Sequence, residues 1–357
     1  MDAAANIELS TSERAAAGAE RRAGSRARAA AAALAVVYLI AAFLYLISRG
    51  SWPTPDFLIP PLLLASVLAG RGWRFLIDWT PLLLLVLVYE AFRGLADDLQ
   101  ESVHVQELID ADRWLLGAAR TAPEILQDRF LQTRVTLYDW LATLLYMAHF
   151  VAPVMMAFLL WLGSRRVYWR FITAVLALFF AGFVTYYLYP AAPPWLASGD
   201  GLIQPIERVH IRTLASLPQT ESLSLAFQHF SPNHVAAMPS LHAAAPLLLA
   251  LISLHLWRWR GLPVLVYALV GGVTWMYMGE HYLVDILAGW VYAIVVFVAV
   301  WLLLPRYLGR LSLARPTLPA RLLPRRALPD WPLAAFAWAL IVLVWIEPLR
   351  QRFWSFF

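Results

Sequence analysis

Residues 239–285 read PSLHAAAPLLLALISLHLWRWRGLPVLVYALVGGVTWMYMGEHYLVD, two apolar runs that meet at a short Arg-rich turn and carry a histidine at each outer end. A helix from Pro239 to about Trp257 and another from Leu262 to Gly279 each cover roughly 27 Å at 1.5 Å per residue, close to the ~30 Å of bilayer hydrocarbon. His242 and His281 therefore return to the same end of a helical hairpin. That reading sets the fold class: helices that cross a membrane, with the polar chemistry gathered at one surface.

The rest of the chain agrees. Apolar residues make up 61% of it and charged residues 14%, with a mean hydropathy of +0.63, a composition incompatible with water solubility throughout. Further apolar runs lie at 29–48, 75–92, 136–162, 167–189 and 281–304, with weaker ones at 57–70 and 331–346. Together they predict an all-α, polytopic integral membrane bundle of about nine spans. The run at 29–48 is longer than a signal-peptide core and has no convincing cleavage site, so it is expected to remain as a span. The expected organisation is a basic tail (1–28), two peripheral spans (29–74), a catalytic core (75–304), a basic segment (305–330), and a last span with its tail (331–357). The core contains an interfacial segment (93–135) and an outer loop (190–238).

Orientation follows from the arginines, since the 28 basic residues include no Lys. With the N-terminus cytoplasmic, Arg14 to Arg28, Arg71, Arg74, Arg165, Arg166, Arg170, Arg258, Arg260 and the run from Arg306 to Arg326 fall on the cytoplasmic side, as the positive-inside rule requires. The net charge of +5 is then topology and anionic-lipid contact, not a nucleic-acid footprint. The two histidines face the extracytoplasmic side. The absence of Cys excludes disulfides, thiolate catalysis and Cys-ligated metals, and no Gly-rich nucleotide loop is present. No cofactor and no metal are expected.

The chemistry concentrates in two elements. His281 and Asp285 are four apart on an expected helix, so their side chains share a face. A carboxylate accepting from one ring nitrogen leaves the other with its lone pair outward, the arrangement of an oriented nucleophile. A structural pair satisfying two buried polar groups fits that spacing equally well. The other element shifts the balance: Pro239 suits a first helical turn, with Ser240 and His242 following. A helix start presents free N–H groups to an anion, and with the Ser240 hydroxyl it suits phosphate, leaving His242 near a departing oxygen. An ordinary capped helix start is the bland alternative.

Pro239-Ser240-Leu241-His242 and His281-Tyr282-Leu283-Val284-Asp285 resemble two signatures of the type 2 phosphatidic acid phosphatase superfamily, membrane lipid phosphatases and phosphotransferases related to vanadium haloperoxidases. With Tyr189-Pro190-Ala191-Ala192-Pro193-Pro194-Trp195 as an expected substrate loop, the set is similar to the inositol phosphorylceramide synthase branch. The resemblance covers roughly 75–304 and implies a six-helix core. It implies His281 as nucleophile, Asp285 as its orienting carboxylate, His242 as general acid and base, and Ser240 as a phosphate contact. Two departures stand out. The family's usual Arg six residues before the nucleophile is Trp275 here, and its first basic signature is replaced by the Tyr189–Trp195 segment. Arg93, Arg208 and Arg212 are the arginines placed to supply the missing positive charge.

Weaker signals remain. His234 is read as a loop histidine. His149, mid-span and ten residues after Asp139, is expected to hydrogen-bond between helices, although an intramembrane histidine is also a candidate substrate contact. His104, His210, His229 and His255 carry no pattern and are read as structural or solvated. Trp114, Leu115 and Leu116 with Arg113 and Arg120 suggest an interfacial helix, with a lid as the other reading.

Three functions are consistent with this set. The first is a phosphotransferase moving a polar head-group phosphate, such as phosphoinositol, between membrane lipids through a phosphohistidine. The second is a hydrolase using the same groups on phosphatidate or polyprenyl phosphates. The third is a transporter or scaffold, which calls for charges at mid-bilayer where this chain puts them at a surface. The expected partners are lipids, donor and acceptor, with no nucleic acid.

Overall fold

The computed structural model describes residues 55–80, 103–216 and 235–305, with isolated positions between 26 and 41. The expected spans at 331–346 and beyond residue 80 of 75–92, most of that at 29–48, Arg93, His229, His234 and the basic segment from Arg306 lie outside the described residues. Among the described residues the chain is mostly helical and has no strand, only isolated bridges. It divides into two compact units, one of Met1–Ala42, Thr54–Thr80 and Arg321–Phe357, the other of Phe43–Pro53 and Pro81–Ala320.

In the first unit, α1 (Pro55–Leu68) is followed by a second helix, α2, over 72–80. With 14 residues, α1 reaches about 21 Å, short of a full crossing. Phe75 stacks on Trp79 one turn later at 4.8 Å.

The second unit carries α3 (Gln106–Leu116), α4 (Ala122–Phe130), α5 (Leu137–Gly163), α6 (Arg165–Leu188), α7 (Pro194–Gly199), α8 (Val209–Ala215), α9 (Leu241–Trp257), α10 (Leu262–Tyr277) and α11 (Leu283–Val296). A π-helical stretch, Phe297–Leu303, extends α11. Three stretches among the described residues are long and apolar enough to cross a membrane, Arg165–Leu188, Leu241–Tyr277 and Leu283–Leu303, and a fourth if the halves of α5 count as one. Those halves, Leu137–His149 and Val151–Gly163, are bent by 44°. The bend has a cause in Pro153, which has no N–H for the His149 carbonyl one turn back. Apolar side chains stay exposed along these helices, Phe180 at 69% and Val291 and Val295 at 57% among them. That outward face suits hydrocarbon, not water.

The Leu241–Tyr277 stretch folds back at the turn Arg258–Gly261. The ring of Trp275, near the end of α10, consequently lies 6.4 Å from that of His242, near the start of α9. This is the hairpin anticipated from residues 239–285. Gly279, at φ +77°, ends α10 in a conformation that side chains rarely adopt, and a Cβ there would meet Ile206 at 2.6 Å.

The short helices and loops cover the end of the bundle that holds both histidines, and they are joined by main chain. His104 N–H donates to Pro190 O at 2.9 Å, Ala192 N–H to His104 O at 2.9 Å, Ala191 N–H to Val235 O at 2.7 Å and Ala237 N–H to Ala191 O at 3.0 Å. Trp195 N–H donates to Gly279 O at 3.2 Å. Buried Gln127 adds a side-chain clamp, its Nε2 donating to Glu207 O at 2.7 Å and Tyr277 O at 2.9 Å. The helices themselves start on carboxylates, Thr121 N–H donating to Glu124 at 2.6 Å and Thr136 N–H to Asp139 at 2.6 Å. Of the residues expected at the interface, α3 turns Leu108 and Ile109 inward and leaves Trp114 81% exposed.

Candidate active site

Two helix starts meet at the centre of the site. Ser240 is the N-cap of α9, its hydroxyl accepting from Ala243 N–H at 3.2 Å, and Pro239 precedes the cap instead of opening the first turn. The Ser240 N–H donates to Asp285 O at 3.0 Å, and Tyr186 OH donates to Pro239 O at 2.7 Å. Contact between α9 and α11 is tightest at Gly289, where a Cβ would lie 2.3 Å from Ser240 O. Gly289→Ala is expected to push the two starts apart and destabilise the protein by about 1–3 kcal/mol, the usual cost of overpacking. A drop in the thermal midpoint of the detergent-purified variant checks it, and an unchanged midpoint would show that the helices separate freely.

His242 and His281 come together with Nδ1 of the first 3.0 Å from Nε2 of the second. On its other side His281 Nδ1 is 3.5 Å from Asp285 Oδ2, too long for a well-formed hydrogen bond. His281, Asp285 and Ser240 are buried and His242 is half-buried. The route to this geometry differs from the expected one. His281 precedes α11, which begins at Leu283 with Tyr282 as N-cap. Asp285 reaches back to accept from Tyr282 N–H at 2.8 Å, so the pair meets through a helix cap and not by stacking on one helical face.

An aromatic wall surrounds His242. Tyr146 stacks at 5.3 Å, His149 meets it edge-on at 4.5 Å and Trp275 at 6.4 Å, measured between ring centroids. His149 Nδ1 donates to Tyr146 O within α5 at 2.7 Å, and its ring contacts His242 on α9. Trp275, in the position where the resemblance leads one to expect Arg, is fully buried in this wall.

Charge lies immediately beside the nucleophile candidate. Arg208 Nε donates to Glu280 Oε1 at 2.8 Å, and its guanidinium lies over the Trp195 ring at 4.5 Å. Burial is the largest single influence on the Glu280 carboxyl and pushes it up, but Arg208 together with His210 and His281 holds the group below the usual range. His210, read from sequence as structural or solvated, is fully buried, 3.6 Å from Glu280 and stacked on Tyr146 at 4.7 Å. Burial lowers its pKa to about 4, which keeps the imidazole neutral at neutral pH.

Other expected contacts lie elsewhere. Arg212 pairs with Glu207 at 3.2 Å and donates to Gln132 O on the exposed side. Tyr189 stacks on His104 at 3.9 Å, and His104 Nδ1 meets Glu107 at 3.0 Å. Pro190 contributes its carbonyl to the loop frame, and Pro194 occupies the first turn of α7. Among the described residues no group of three or more His, Cys, Asp or Glu side chains is arranged to hold a metal ion. Sequence reasoning passed over Tyr146, Gln127 and Asp112, whose partners are remote in the chain.

A family model described as PAP2 superfamily matches residues 106–299. Among curated proteins the chain is similar to a phosphoinositol dihydroceramide synthase of Bacteroides thetaiotaomicron, with 24% identity over 267 residues covering 72% of this chain and 87% of that protein. No solved structure matches the chain.

Proposed function

This chain belongs to the PAP2 superfamily, as a membrane enzyme of the lipid phosphatase and phosphotransferase class, and from that premise we propose that it transfers a polar head-group phosphate between lipids through a phosphohistidine on His281. The observation that carries the proposal is the 3.0 Å approach of His242 Nδ1 to His281 Nε2 with Asp285 on the opposite ring nitrogen. One nitrogen is oriented, the other faces an acid and base.

In this scheme His281 Nε2 attacks the phosphorus in line as the bond to the lipid alcohol breaks, and His242 gives its proton to the departing oxygen. Because His242 occupies the direction from which phosphorus must come, its ring gives way as the donor enters. The acceptor hydroxyl then loses its proton to His242 and attacks the phosphohistidine, which frees His281. Ser240, the start of α9 and Arg208 face the phosphoryl oxygens. Of the arginines expected to supply charge, Arg208 is the one carried forward, since Glu280 and Trp195 hold it next to the nucleophile. The curated relative, by its name a phosphoinositol dihydroceramide synthase, favours phosphoinositol as the transferred group and a ceramide-like alcohol as acceptor. The arginine distribution favours a cytoplasmic N-terminus and a site on the extracytoplasmic face, and the exposed Trp114 suits a seat for α3 in the outer leaflet.

The test is turnover of a phosphatidylinositol donor labelled in its head group, in detergent, with and without ceramide or diacylglycerol. Label is expected in the acceptor lipid, dependent on added acceptor. Release of the polar phosphate regardless of acceptor would replace transfer by hydrolysis.

A further inference from the structure

Two carboxylates occupy the start of α11. Asp285 accepts from Tyr282 N–H at 2.8 Å. The other is Asp112, on α3, whose Oδ1 accepts from Leu283 N–H at 2.6 Å and Val284 N–H at 3.4 Å. Its Oδ2 accepts from Ala122 N–H, in the first turn of α4, at 2.6 Å. Asp112 is fully buried.

A helix start leaves its first N–H groups without partners inside the helix and attracts negative charge. At α11 that demand is met by the chain's own side chains, which directs a substrate phosphate to the start of α9. The same bonds have a mechanical result. Residues 281–285 run between two fixed points, the Gly279 turn, held by Trp195 N–H and Gln127, and the first turn of α11, held by Asp112. His281 lies between them, so the aim of its ring depends on both.

We propose that Asp112 is a positioning residue for the nucleophile, joining α3, α4 and the first turn of α11 so that His281 Nε2 points along the line of attack. The proposal rests on the reading of His281 as nucleophile. It requires loss of Asp112 to slow the chemical step while substrate binding, which uses other groups, is kept.

The experiment compares Asp112→Asn, Asp112→Ala and Asp139→Asn in the full-length detergent-purified enzyme, with phosphatidylinositol and ceramide as substrates and thermal midpoints measured alongside. Asp139 is the control, a buried carboxylate with one oxygen capping α5 through Thr136 N–H and the other accepting from Tyr277 OH, a bond the asparagine oxygen keeps, and with no hydrogen bond to 281–285. Asp112→Ala is expected to lower kcat about 10²-fold, the scale of a misplacement of roughly 1 Å. Asp112→Asn keeps a carbonyl for Leu283 but turns its amide toward the Ala122 N–H, so the loss is about tenfold, with KM within about twofold of wild type in both. Asp139→Asn is expected to lower the midpoint and leave kcat of the folded enzyme unchanged.

Wild-type kcat in Asp112→Asn and Asp112→Ala would overturn the proposal, as would an equal kcat loss in Asp139→Asn. If Asp112→Ala does not fold, wild-type kcat in Asp112→Asn alone overturns it. His281→Ala run in parallel separates the two readings. Turnover surviving in that variant removes the nucleophile assignment itself, whereas a dead His281→Ala beside unaffected Asp112 variants removes only the positioning role.

Discussion

Replacing His281 by alanine is expected to lower turnover by at least about 10³-fold, the scale of losing a covalent nucleophile. The ring is buried between His242 and Asp285, whereas a second imidazole beside a carboxylate, His210 at Glu280, is fully buried and shares that carboxylate with Arg208. The intermediate gives an independent readout. Wild-type enzyme quenched during turnover of a donor labelled at phosphorus should carry label in an acid-labile, base-stable adduct, and His281→Ala should carry none. Retention of more than a few per cent of turnover in the variant would move the nucleophile elsewhere, whatever the adduct showed.

His242→Ala separates acid catalysis from binding. A lipid alkoxide is a poor leaving group and needs a proton, so its transfer should fall by about 10² to 10⁴, the range for removing a general acid. A nitrophenyl phosphodiester leaves without protonation and should react with the variant at a rate much closer to wild type. The comparison matters because His242 also lies inside an aromatic wall, and its removal disturbs packing for both substrates alike. Equal losses on both would assign it a positional role and leave the leaving group unprotonated.

The parts of this molecule legible in its sequence were those with a local signature. Two apolar runs about one bilayer long predicted the hairpin and, with it, the meeting of His242 and His281. Pro239 announced a helix start, which the structure begins slightly later, with Ser240 as its cap. The spacing of His281 and Asp285 predicted contact, though through the wrong device: a helical face was expected where a helix cap does the work, because i,i+4 spacing does not reveal which residue begins the helix. Span counting reached further than the described residues do, and over the apolar run at 57–70 they show a helix of 14 residues. The remaining site residues had nothing local to show them. Asp112 acts on Leu283, 171 positions away, and Gln127 on Tyr277, 150 away; Arg208 was named from sequence, but not its partner Glu280, 72 away. A buried polar residue in an interfacial segment looks like any surface Asp, Gln or Arg until its partner is known. His210, read as structural or solvated, had nothing local to choose between the two, as its burial is made by Tyr146 and Glu280 from other elements.

The loop frame over the site is tied peptide to peptide, at residues 104, 190, 191, 192, 235 and 237 and again between 195 and 279. Bonds of that kind make no demand on chemical identity; they ask only for an N–H, a carbonyl and a side chain small enough to fit. Most residues along these loops can thus be exchanged, so long as proline does not fall on a donating position, without dislodging the histidines beneath. Divergence can then run far in the very segments that enclose the substrate, and head-group preference can be retuned there while the chemistry underneath is inherited intact.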